Sequence, residues 1–272
     1  MTTPAALFRQ AHSALARLAV LLSLALSATL SGHAVEATNL VVHADPETVQ
    51  QGRAVYLKNC VPCHGRAGDG RGEMGLTVRP RPRDFRAAVF KFRSTPSGFL
   101  PTDEDLARTI HAGLTGTAMP TFQTRRENEV RAVIAYVKSF SSRWRKAENY
   151  AAPLPWPAQP NWFDDADEFA LHAAKGKDLF TTACAPCHGA KGDGHGPSAL
   201  ELKDSFDEPV TPSDLRQPLR CGPEPKDIYR VLATGLDGTP MPTFLGAFNE
   251  AQLWEIIAHS VELRRTEERR GK

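Results

Sequence analysis

The chain carries one unit written twice, and no other feature restricts its fold as much. Residues 63–72, Cys-His-Gly-Arg-Ala-Gly-Asp-Gly-Arg-Gly, align with residues 187–196, Cys-His-Gly-Ala-Lys-Gly-Asp-Gly-His-Gly. Further on, residues 113–122 align with residues 235–244 through Gly-Leu-x-Gly-Thr-x-Met-Pro-Thr-Phe. The order is the same in both halves, so the 272 residues read as a duplicated domain rather than one large one.

Each copy holds Cys-x-x-Cys-His: Cys60, Cys63 and His64 in the first, Cys184, Cys187 and His188 in the second. Two thiols three residues apart lie on one side of a helical turn, where each can form a thioether to a haem vinyl group. The histidine that follows shares that face and reaches the iron, so the motif reads as a c-type haem attachment site. A zinc site or a redox dithiol is the rival reading of a bare Cys-x-x-Cys. The histidine in both copies, the long gap between them and the lack of a βαβ pattern count against it.

The expected cofactors are therefore two covalently bound haem c groups, with His64 and His188 on the irons. The duplicated Gly- and Pro-rich segment offers the opposite ligands, Met119 and Met241, at matching positions. Only four methionines occur in the chain, and Met1 and Met74 have no partner in the other half. A thioether donor favours ferrous iron and raises the potential relative to a second imidazole. Met74, His43, His111, His172, His195 and His259 lack such counterparts and read as packing or surface residues. The fifth cysteine, Cys221, reads as a small buried or half-buried thiol.

The first 34 residues read as an export signal. Arg9 and Arg17 precede an apolar run at residues 18–30, and Gly32-His33-Ala34 offers small residues for cleavage. The run is 13 residues long, short of the ~20 a membrane helix needs. A cleaved signal, a periplasmic location and a mature chain without a transmembrane span are expected. The remainder divides into a first domain at 35–148, a Pro-rich linker at 149–167 and a second domain at 168–272.

Both halves read as helical. Asp45-Pro46 marks a helix start that runs into the first haem motif, and Thr102 with Asp105 marks a second. Val130, Val133, Ile134, Val137 and Phe140 recur at helical spacing, as do Leu253, Ile256, Ile257 and Val261 after Asn249. Gly68-Asp69-Gly70 and Gly192-Asp193-Gly194 permit tight turns. The linker holds Pro153, Pro155, Pro157 and Pro160 around Trp156 and Trp162, which are expected to pack on the domains. The charged tail at 264–272 reads as solvated and frayed.

Charge is uneven. Residues 35–148 carry 18 Lys and Arg against 12 Asp and Glu, a net +6, and residues 149–272 carry 13 against 19, a net −6. Opposite halves can steer partners or dock on one another. The basic run Arg79, Arg81, Arg83, Arg86, Lys91 and Arg93 has three readings: haem-propionate partners, a docking face for an acidic protein, or a solvated loop. Nucleic acid is not an expected partner.

These motifs, in this order and twice, resemble the class I c-type cytochromes in their tandem, dihaem form, over most of residues 46–261. The resemblance implies an all-α fold, two cytochrome c domains joined by the Pro-rich linker. In each, the first and last helices cross: Gly52 and Tyr56 against the helix of Tyr136, Gly176 and Phe180 against that of Trp254. It implies electron transfer without substrate transformation, with redox proteins as partners: a quinol-oxidising complex and a terminal oxidase or reductase. A dedicated subunit of a membrane respiratory complex is one alternative; a dihaem peroxidase-like enzyme or a haem-based sensor needs an openable iron site, against which the paired methionines stand. The insert at 77–101, with Lys91-Phe92-Arg93-Ser94-Thr95-Pro96, departs from the family pattern and has no assigned role, and the second half replaces it with a differently composed stretch.

Overall fold

Asp45 starts the first helix as its sequence requires. The carboxylate accepts from the Thr48 N–H at 2.9 Å and Pro46 fills the first turn of α1 (Pro46–Asn59). The computed structural model describes residues 44–271, so the export signal expected at 1–34 and His43 lie outside the described residues. After α1 comes α2 (Val61–His64), a single turn carrying the first haem motif. Next is α3 (Asp103–Ala112), opened by a reciprocal Thr102–Asp105 capping box and stopped at Gly113 with φ of 63°. The first half closes with α4 (Glu127–Ser139).

The second half repeats the plan. Asp165 caps α5 (Ala166–Ala183), which leads into the motif turn α6 (Ala185–His188). Asp227 reaches back to the Glu224 N–H to open α7 (Pro225–Thr234), and an Asn249–Gln252 box opens α8 (Glu250–Arg270). Among the described residues, extended pairing is limited to two isolated bridges, Lys203 with Pro209 and Leu245 with Phe248. The fold is all-α. No described helix is long and apolar enough to cross a membrane.

One glycine sets the core of each half. A Cβ on Gly52 would fall on the Ala132 carbonyl and 3.0 Å from the Tyr136 Cβ, so α1 and α4 cross backbone to backbone. Gly176 does the same for α5 and α8, where a Cβ would meet the Glu255 carbonyl and lie 2.9 Å from the Ile256 nitrogen. Side chains one turn on then interlock. Tyr56, fully buried, lies 5.2 Å from the Tyr136 ring, and Phe180 lies 5.0 Å from His259. Trp254 is buried beside Phe163 and Tyr229.

The two halves pack into one compact unit. Their opposite charges meet in ion pairs between Arg81 and Glu208 (2.7 Å) and between Arg93 and Asp237 (2.8 Å). The Pro-rich segment lies against both. The Leu154 N–H donates to the Ser94 carbonyl, Trp156 meets Tyr229 edge-on, and Trp162 stacks on His172 at 4.1 Å.

Two sequence readings need correction. Residues 264–270 are not frayed: they extend α8, because Arg265 lies over the Phe169 ring at 4.2 Å and Arg269 pairs with Glu262 at 2.5 Å. The basic run does not act as one surface: Arg79 and Arg86 are exposed, and the other four are half-buried or buried. Arg81 and Arg93 bind the other half, Arg86 pairs with Asp84 next to it in the chain, Arg79 donates to the Leu76 and Val78 carbonyls, and Arg83 and Lys91 face inward. For Arg81 and Arg93 the acidic partner is the chain's own second half.

Candidate functional site

The motif turns inherit their position from the crossed helices. Cys60 ends α1, its N–H donating to the Tyr56 carbonyl, and the chain turns at once into α2. Gly65, with φ of 75°, then reverses the chain, a conformation other residues resist. The Tyr56 hydroxyl donates to the Gly65 carbonyl at 2.8 Å, tying the exit of the turn to the helix crossing. Cys184 and Gly189 stand in the same places in the second half.

Both histidines are oriented by a backbone carbonyl. The His64 Nδ1 lies 3.2 Å from the Arg83 oxygen, and the His188 Nδ1 lies 3.1 Å from the Ser213 oxygen. A carbonyl only accepts, so Nδ1 carries the proton and Nε2 keeps its lone pair. Burial holds both imidazoles below the ordinary histidine range, which preserves that neutral form. Phe85 stacks on His64 at 4.4 Å and fixes the ring plane. A neutral imidazole anchored at Nδ1 is the state a metal ligand needs.

The two methionine loops are built alike. The Leu114 N–H donates to the Met119 carbonyl at 3.1 Å, and the Leu236 N–H to the Met241 carbonyl at 3.0 Å. The hydroxyls of Thr117 and Thr239 accept from the Met119 and Met241 N–H groups and donate back to Leu114 and Leu236. Each loop is thus closed on itself just after α3 or α7.

All these parts face one cavity of about 570 Å³. Cys60, Cys63, His64 and Met119 line it from one half, and Cys184, Cys187, His188 and Met241 from the other. The remaining walls are mostly aliphatic and aromatic, with Phe90, Ile110 and Val133 answered by Leu219, Ile228 and Leu232. Burial pushes the Cys60 thiol up to about 11 and the Cys184 thiol up to about 12. All five cysteines are unpaired, and no cluster of three metal-binding side chains occurs among the described residues, which leaves the zinc reading without a site.

Five cations line the cavity, and two of them are paired, Arg81 with Glu208 and Arg125 with Glu129. The other three, Arg83, Lys91 and Arg220, make no ion pair among the described residues. Burial, with Arg83 and Arg220 nearby, pushes Lys91 down to about 8. Arg83, Lys91 and Arg220 are half-buried, and charge drawn from water without a counter-ion is costly, so their place in an apolar chamber suits an anionic ligand. Paired thiols, a neutral imidazole, a thioether and unmatched cations fit a flat apolar group bearing carboxylates. Haem c is such a group.

The other candidates take the packing roles expected of them. His111 faces Glu127, His172 meets Glu255 at 3.1 Å, and exposed His195 lies beside Asp193. His259 packs on Phe180, and Met74 is exposed. Half-buried Cys221 lines the chamber, its thiol pushed up to about 12 by burial. The carbonyls of Arg83 and Ser213 are the parts the sequence reading lacks. They belong to a third repeated segment, Pro82-Arg83-Asp84-Phe85-Arg86 against Pro212-Ser213-Asp214-Leu215-Arg216, inside stretches that otherwise differ. In both copies the Asp–Arg pair closes the turn, and the Phe85 or Leu215 N–H donates to Gly68 or Gly192 at 2.7 Å.

No curated protein matches the sequence. Among solved structures, a chain of the Kuenenia stuttgartiensis reducing HAO-like protein complex is similar, with 34% identity and a TM-score of 0.69. The match covers 79% of this chain and 96% of that one. The family profile described as cytochrome c oxidase, cbb3-type, subunit III matches twice, at residues 47–137 and 172–259, once on each haem motif with its methionine loop in the first match and again in the second. A repeated all-α unit with that motif order belongs to this family of c-type cytochromes, and the chain is a tandem member of it.

Proposed function

We propose that the protein is a periplasmic dihaem electron carrier, exported by a signal at residues 1–34, with no substrate transformation of its own. The observation that carries this is the common chamber: both Cys-x-x-Cys-His turns and both methionine loops open into it. Haem c bound there supplies one-electron chemistry, its iron alternating between ferric and ferrous.

The chain's own residues do the rest. Cys60, Cys63, Cys184 and Cys187 provide the thioether links. His64 and His188, held at Nδ1 by the Arg83 and Ser213 carbonyls, would offer Nε2 to the iron, and Met119 and Met241, which line the same chamber, would offer sulfur. The apolar walls keep water from the metal and lower the reorganisation that accompanies a change of charge. Arg83, Lys91 and Arg220 lie where they can balance carboxylates. Sites that share one chamber can exchange an electron within the molecule, so a donor and an acceptor can dock at different places.

A second reading, permanent membership of a larger redox assembly, is favoured by the similarity to a chain of the reducing HAO-like complex. Co-purification from native membranes and periplasm separates it from a free shuttle. The dihaem reading is tested by the intact mass and pyridine haemochrome of protein matured with a haem-attachment system. Two haems per chain, falling to one in Cys184→Ala/Cys187→Ala, are expected. One haem in the parent protein contradicts it.

A further inference from the structure

The two methionine loops share their internal bonds but not their surroundings. In the first half Thr115 and Gly116 are exposed. In the second half the matching residues, Asp237 and Gly238, are partly covered by the first half's insert. Arg93 in that insert has no exposed surface. Its Nη1 donates to the Phe90 carbonyl (3.1 Å) and its Nε to the Pro96 carbonyl (3.2 Å), which fixes the guanidinium on its own segment. Its Nη2 reaches the second half, donating to the Thr234 carbonyl at 2.5 Å and to Asp237 at 2.8 Å.

Asp237 is held by more than one donor. Its Oδ1 also accepts from the Ser97 hydroxyl at 2.8 Å, and its Oδ2 from the Gly98 N–H at 2.9 Å. The held points bracket the loop's entrance: Thr234 ends α7, and Asp237 follows Leu236, the residue that bonds the Met241 carbonyl. Thr115 stands at the equivalent place in the first half and makes no such contact among the described residues.

We propose that Arg93 and Asp237 are positioning residues for Met241. The insert of the first half clamps the sulfur-bearing loop of the second, a hold from outside the loop that the Met119 loop lacks. A buried, charge-assisted network of this kind has one low-energy arrangement, and breaking it leaves Arg93 without its carboxylate. The asymmetry gives an otherwise duplicated molecule two unlike sites and assigns a role to the insert at 77–101. It rests on the reading of Met119 and Met241 as iron ligands.

The test uses the reduced, haem-loaded full chain. Proton NMR resolves the methyl group of each iron-bound methionine by its haem ring-current shift, and Met119→Ala and Met241→Ala assign the two signals. In Asp237→Asn the Met241 signal should broaden or vanish with the Met119 signal unchanged, and one haem of two should take up carbon monoxide. Retention of both signals at parental width, or equal loss of both, overturns the proposal. Should Asp237→Asn not fold, Ser97→Ala decides, since it removes one donor to Asp237 and spares the ion pair. Carbon monoxide entry at the second haem about tenfold faster, the factor expected for one lost hydrogen bond to a charged group, supports the clamp; unchanged entry overturns it. A parent protein lacking both methyl signals is a different failure, that of the ligand reading itself, and removes the proposal with it.

Discussion

Replacing Gly176 by alanine adds a single methyl group at the tightest point of the second half. The new Cβ would collide with the Glu255 carbonyl and lie 2.9 Å from the Ile256 nitrogen. Both neighbours are backbone of α8, so no side chain can rotate away and the helices themselves must separate. Overpacking in a well-filled core costs about 1–3 kcal/mol, and a backbone obstacle belongs at the upper end. Alanine returns about 1 kcal/mol through its better helix propensity. The net is a loss of about 2 kcal/mol, a fall of roughly 4–8 °C in melting temperature for a unit this size. Thermal unfolding of the haem-loaded protein, followed by helical circular dichroism, measures it. Gly52→Ala, facing the Ala132 carbonyl, should behave alike in the first half. A Gly176→Ala protein that melts at or above the parent temperature refutes backbone-to-backbone crossing as the source of the core.

Tyr56→Phe removes the hydroxyl that donates to the buried Gly65 carbonyl and should cost about 1–2 kcal/mol in denaturant unfolding, because that carbonyl loses its side-chain donor. Glu208→Gln should cost under about 1 kcal/mol, since its pair with Arg81 is about a third exposed, and the difference from parent should shrink as salt is raised. His259 packs on Phe180 with a buried, unpartnered Nε2, and burial, reinforced by Lys177 and opposed by Glu262, lowers its pKa. A folded value below the unfolded 6.5 means the unfolded chain takes up the proton first, so stability is lost as pH falls below about 6.5. His259→Leu should therefore narrow the gap in melting temperature between about pH 7.5 and about pH 5. An unchanged gap shows that His259 does not carry the acid sensitivity.

What could be read from the sequence is what depends on near neighbours. Asp45, Thr102 and Asn249 mark helix starts because capping involves residues three positions away, and the structure uses all three. The motif cysteines, histidines and methionines were visible because each occurs twice in one order. The Pro-x-Asp-Phe/Leu-Arg segment also occurs twice, but it is short and sits in stretches of different length, so the carbonyls that orient His64 and His188 were hidden. Arg93 could not be read at all. Its partner Asp237 lies 144 positions away, and only the packing of one half on the other brings them together. The same holds for Arg81, whose partner Glu208 lies in the other half. At the C-terminus the contacts that keep residues 264–270 helical, Arg265 on Phe169 and Arg269 on Glu262, show no periodic apolar stripe.

The most direct measurement is the optical spectrum of the purified haem-loaded protein, oxidised and reduced, with and without carbon monoxide. Two low-spin haems, the weak ferric sulfur-to-iron charge-transfer band and no prompt carbon monoxide uptake are expected of an electron carrier ligated by His64, Met119, His188 and Met241. A high-spin fraction, or prompt carbon monoxide binding by one haem of the unaltered protein, contradicts it and puts an open iron site, with peroxidase or sensor chemistry, in its place.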